Sequence, residues 1–62
     1  MWICSKDEAI NMQFVKYFYK YNEKQFYIRF HFNDSDYTFF SFENEKERDD
    51  IFQHIITNIP RI

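Results

Sequence analysis

Apolar residues follow two different periods along this chain of 62 residues. Between residues 25 and 32, Phe26, Ile28, Phe30 and Phe32 alternate with Tyr27, Arg29 and His31. A period of two marks a half-buried strand, so the pattern predicts a strand over 25–32 with the Phe/Ile set facing a core. Tyr37-Thr38-Phe39-Phe40-Ser41-Phe42-Glu43 predicts another over 37–43. Beyond residue 44 the period lengthens. Ile51, Phe52, Ile55, Ile56 and Ile59 recur at helical spacing and predict an amphipathic helix over about 45–58. Asn44 is the expected N-cap, with Glu47 completing a capping-box pattern. Glu45, Glu47, Asp49 and Asp50 place negative charge where the helix dipole favours it, and Lys46 can pair with Asp50. Pro60 is expected to close the helix, with Asn58 as a left-handed cap.

The first third is less regular. Residues 1–5 form a short β-like run, and Lys6-Asp7-Glu8 reads as a turn. Residues 9–21 read as extended, but the parity slips inside them. Ile10, Met12 and Phe14 are even, whereas Val15, Tyr17, Tyr19 and Tyr21 are odd. The slip predicts a break or bulge near 13–14. The loops are too short for parallel crossovers, so the strands join as hairpins. The expected fold class is α+β: a small antiparallel β-sheet of three to five strands, in a meander, with one C-terminal amphipathic helix packed on one face. Residues 1–62 make a single domain.

Hairpin register decides which side chains stay outside. Directly opposed residues share a face. A loop centred on Glu23-Lys24 pairs Tyr21 with Phe26, Tyr19 with Ile28 and Tyr17 with Phe30. Val15, Tyr17, Tyr19 and Tyr21 then face the core. Both lysines of this stretch belong to the even set, which agrees. A slip by one residue exchanges the two sets. In the last strand Thr38, Phe40 and Phe42 are expected against the helix with Tyr37 and Phe39 outside, although the opposite parity fits nearly as well. The expected partner-binding face therefore carries Lys16, Phe18, Lys20, Tyr27, Arg29, His31, Tyr37 and Phe39, aromatic and basic together.

Composition narrows the chemistry. Nine Phe, five Tyr and one Trp make 24% of the chain aromatic, and there is no glycine. A/T-rich coding is one source of such a bias. Without glycine, left-handed turn positions are expected at Asn22, Asn33, Asp34, Asn44 and Asn58. The same absence removes phosphate-cradling loops, the dinucleotide fingerprint and the usual nucleophile elbow. Cys4 is the single cysteine and makes no internal disulfide. With only His31 and His54 beside it, a Cys/His zinc set is incomplete. The turn Asn33-Asp34-Ser35-Asp36 has acidic spacing near that of a calcium loop, but Phe39 stands where that loop needs glycine. No catalytic residue, cofactor or metal is expected. No stretch approaches the roughly 20 apolar residues of a membrane span, so no membrane association is expected. The N-terminus lacks a signal-peptide core, and a lone cysteine suits a reduced compartment, so the expected location is cytoplasmic.

Net charge is −2, unevenly spread. Residues 11–32 hold four cations against one acid, and residues 33–50 hold seven acids against two cations. Contiguous exposed aromatics mark interaction sites. The expected function is a non-enzymatic small protein-interaction module, regulator-like or inhibitor-like, of a size that suits a phage or mobile element. Its partner is an unidentified protein. A homodimer, through the free face or an edge strand, is one form of that contact. The alternative is a single-stranded nucleic-acid-binding domain that uses the same face, with rings stacking on bases and cations holding phosphates. The acidic balance ranks it second. No family signature is present. The last third, with Phe40-Ser41-Phe42 leading into Glu47-Arg48-Asp49, resembles the final strand and C-terminal helix of pleckstrin-homology-like domains, which implies fold analogy and no functional residue.

Overall fold

A computed structural model describes residues 1–59. Strands β1 (Trp2–Cys4) and β2 (Ala9–Asn11) form an antiparallel hairpin. A 3₁₀ turn, Met12–Phe14, leads to β3 (Tyr17–Asn22), β4 (Phe26–His31) and β5 (Tyr37–Phe42). These three make an antiparallel meander in the order β3-β4-β5. Helix α1 (Glu45–Thr57) follows. The α+β architecture is thus the expected one, with its strands divided between two sheets.

Local chemistry sets each boundary. The Asn11 side chain accepts from the Gln13 N–H at 3.0 Å and turns the chain out of the strand, which is the break the parity slip requires. Asn44 Oδ1 accepts from the Glu47 N–H at 2.8 Å and starts the helix. Lys46 and Asp50 pair at 2.7 Å along its exposed side. Asn33 Oδ1 accepts from the N–H groups of Ser35 and Asp36, both at 2.8 Å, and closes the β4–β5 connection. The expected left-handed positions do not occur. No described residue has positive φ. Side-chain acceptors turn the chain instead, so glycine is not needed. Asn58 ends the helix at φ −95° and ψ 6°, with its amide donating to the His54 carbonyl at 2.8 Å. Pro60 lies outside the described residues.

The core forms on one side of the three-stranded sheet. Ile28 and Phe30 from β4, Phe40 from β5 and Ile55 from α1 are buried together with Ile3 and Ile10 of the first hairpin. Helix and hairpin therefore share the roof. The helix packs on β4 and β5. Glu8 ties the hairpin to β5, where its carboxylate accepts from the Thr38 hydroxyl at 2.9 Å. No helix among the described residues is long and apolar enough to cross a membrane.

A buried cation was not expected in this roof. Arg48 lies in the second turn of α1 and is 4% exposed. Its Nη1 donates to the carbonyls of Tyr21 (3.2 Å) and Tyr27 (3.3 Å) and to Asn22 Oδ1 (2.9 Å). Its Nε donates to Asp49 at 2.8 Å, and Glu45 lies 3.7 Å from Nη2. That bond from Arg48, helped by nearby Lys20, holds the Asp49 carboxyl below its usual range. The guanidinium holds the two carbonyls and Asn22 Oδ1 through Nη1 while its Nε holds Asp49, a spread of donors that a single ammonium does not offer. Truncation strands both carbonyls and the two acids. Arg48→Ala is expected to destabilise the chain by about 3–5 kcal/mol in urea denaturation, a large share of the total for a domain of this size. A loss below about 1 kcal/mol would show that the clamp is not structural.

Candidate functional site

The roof covers one face of the β3-β4-β5 sheet and leaves the other open. Which residues occupy that open face depends on the β3–β4 register. Tyr17 pairs with His31, Phe18 with Phe30, Tyr19 with Arg29, Lys20 with Ile28, Tyr21 with Tyr27 and Asn22 with Phe26. The turn closes with the Glu23 N–H donating to the Gln25 carbonyl at 3.0 Å. This differs by one residue from the register expected from the sequence, and it exchanges the faces of β3.

Phe18 and Lys20 consequently lie on the roofed side, contrary to expectation. The Phe18 ring packs against Phe30 and Phe52, with centroids 5.8 and 5.4 Å away. Lys20 Nζ sits over the Phe52 ring at 5.1 Å and reaches Asp49 at 3.4 Å. A lysine at a sheet edge covers apolar surface with its stem while its ammonium stays wet. Lysine parity was therefore a poor guide to the free face. Lys16 precedes β3 and meets Asp34 at 3.4 Å, with both side chains exposed. Tyr27, Arg29, His31, Tyr37 and Phe39 are brought together as expected, because β5 opposes Tyr37 to His31 and Phe39 to Arg29. Tyr17, Tyr19 and Tyr21 join them. The signal for these three was present in β3, whose odd positions are all Tyr while Phe18 is even. A phenol tolerates water at its tip, and a phenyl ring does not gain from it.

The open face is a plate of aromatic rings around one cation. Arg29 Nη1 donates to Tyr19 Oη and Nη2 to Tyr21 Oη, each at 3.2 Å. Its guanidinium carbon lies 4.5 Å from the Tyr21 ring centroid and 4.7 Å from that of Tyr37. The Tyr21 bond, with Tyr19 adding to it, raises the Arg29 pKa further above its ordinary value. No acid pairs with Arg29 among the described residues. His31 stacks on Tyr17 with centroids 4.4 Å apart, and its Nε2 lies 3.3 Å from Tyr19 Oη. The surrounding rings leave it 7% exposed. Tyr21 stacks on Tyr27 at 4.8 Å, and Phe39 meets Tyr27 edge-on at 5.5 Å. Arg29 Nε and His31 Nδ1 are both buried without a hydrogen-bond partner. Meanwhile Tyr17, Tyr19, Tyr37 and Phe39 stay between 37% and 51% exposed.

This arrangement suits binding by contact. Rings stacked on rings lose little conformational freedom when a partner covers them. No group of His, Cys, Asp and Glu able to hold a metal ion occurs among the described residues. The guanidinium is held by two hydroxyls and two ring faces, a geometry that a point charge does not reproduce. Arg29→Lys is expected to cost about 1 kcal/mol in urea denaturation. An unchanged midpoint would mean that the ring plate does not depend on the fork. Comparison with protein-family models, curated proteins and solved structures finds no match.

Proposed function

We propose that this chain is a non-enzymatic protein-interaction module that works through the open face of its three-stranded sheet. The observation that carries the reading is the clustering of Tyr17, Tyr19, Tyr21, Tyr27, Tyr37 and Phe39 on the face opposite the helical roof. Tyrosine and arginine are the side chains that most often anchor protein interfaces. Their large rings bury apolar area, and their polar tips keep the free surface soluble. Arg29, without an acidic partner among the described residues, favours a partner with a complementary negative group. The reduced, cytoplasmic setting expected from the lone cysteine is part of this proposal, as is an origin in a phage or mobile element.

Single-stranded nucleic acid is the second reading, and the stacked rings are what favour it. It has lost one of its expected cations, since Lys20 is engaged with Asp49 on the roofed side. Among the described residues, Arg29 is the one formal charge that the strands present on the open face. A site built on a single cation gives weak phosphate binding.

A paired substitution, Tyr17→Ser with Tyr37→Ser, tests the reading. Both rings are exposed, so the fold should survive, as checked by circular dichroism. A protein partner identified with the unaltered chain should lose at least about tenfold in affinity for the double variant. Equal affinity would place the contact elsewhere and refute the proposal. Saturable binding of mixed single-stranded oligonucleotides at roughly physiological salt, abolished by Arg29→Ala, would instead support the second reading.

A further inference from the structure

We propose that the outer edge of β3 joins two copies of this chain into a two-fold dimer with one continuous six-stranded sheet. Among the described residues, strands β3 and β5 both lack a paired strand on their outer side. The two edges are not alike. Beside β5 lies the turn of the first hairpin, with Glu8 bonded to Thr38 and Ser5 to Glu8 lining a cleft with Phe39, Phe40 and Ser41. Beside β3 no described strand pairs with the backbone of Tyr17–Asn22 on its outer side. Natural edge strands are guarded by proline, bulges, short length or charges that point outward. β3 spans six residues and has no proline. Its one charged side chain, Lys20, is folded back onto Phe52 and Asp49. An edge without proline, whose one lysine is drawn toward Asp49 on the roofed side, is suited to pairing.

The hydrogen-bond phase selects the residues that pair. Glu23 donates to Gln25 across the turn, so the odd residues of β3 direct their backbone groups toward β4. Phe18, Lys20 and Asn22 then direct theirs outward. An antiparallel pairing about an axis at Tyr19 sets Tyr19 against Tyr19, Tyr17 against Tyr21, and Phe18 against Lys20. Aromatics meet on the open face, and no like charges are opposed on the other. Moving the axis to Lys20 would oppose two lysines, which is unfavourable. The side chains of Phe18 and Lys20 reach α1 on the roofed side, whereas edge pairing would use backbone groups, which lie in the plane of the sheet. One open edge and one obstructed edge close the assembly at two copies. The two tyrosine faces would lie on the same side and form one platform, so the dimer leaves the proposed partner surface free. Edge pairing and the interaction face thus stand or fall separately.

Sedimentation equilibrium from about 1 μM to about 1 mM tests the edge. The unaltered chain should move from its 7.9 kDa monomer toward twice that mass as concentration rises. Lys20→Pro removes an outward N–H and should raise the dimer dissociation constant at least about tenfold. Tyr19→Glu and Tyr19→Lys each oppose like charges at the axis and should be monomeric alone, whereas their equimolar mixture should recover the dimer. That rescue decides the matter even if the proline variant fails to fold. A strict monomer across the range overturns the proposal. So does a dimer that persists in both charge variants, or a mixture that stays monomeric.

Discussion

Arg48 reaches from the helix to the carbonyls of Tyr21 and Tyr27, two residues opposed across the β3–β4 hairpin, and to the side chain of Asn22 beside them. This one guanidinium couples strand register to helix position. A hairpin slipped by one residue would bring a different carbonyl opposite Tyr27 and rotate Asn22 to the other face. Asp49 extends the constraint, since it accepts from Arg48 and also meets Lys20, which stands opposite the fully buried Ile28. Burying a charge is costly unless its donors are used, and here backbone and side-chain oxygens use them.

From that parity the surface follows. With Phe18 and Lys20 held under the roof, alternation sends Tyr17, Tyr19 and Tyr21 outward beside Tyr27, Arg29 and His31 of β4. Strand β5 adds Tyr37 and Phe39. Arg29 then serves the open face as Arg48 serves the roofed one, although its acceptors are phenol oxygens and ring faces. One arginine locks the core side, and the other orders the rings on the wet side. The chain has no glycine, yet no described residue needs a left-handed backbone, because Asn11, Asn33 and Asn44 close its turns with side-chain oxygens.

Much of the fold was legible in the sequence. Strict alternation from Phe26 to Phe30 and the helical spacing of Ile51, Ile55 and Ile59 report periods that local geometry imposes. The Asn44 cap is legible for the same reason, since a cap is a contact three residues long. The site was half legible. Tyr27, Arg29, His31, Tyr37 and Phe39 belong to strands whose faces the core pattern orients. The β3 face hangs on the length of one turn, and Lys20 is a poor marker of the wet face because its ammonium sits over the Phe52 ring on the roofed side. Arg48 was illegible. Within a charged run at a helix start, nothing local separates a solvated arginine from one whose partners lie 21 to 27 residues away.

The parity of β3 is most directly tested by cross-strand Hα–Hα nuclear Overhauser contacts. Residues opposed without mutual hydrogen bonds bring their Cα atoms to about 4.5 Å, close enough for strong signals. The register described here predicts them between Lys20 and Ile28 and between Phe18 and Phe30. Strong contacts from Tyr19 to Ile28 and from Tyr17 to Phe30 would contradict it, and the tyrosine plate would then lie beneath the helix.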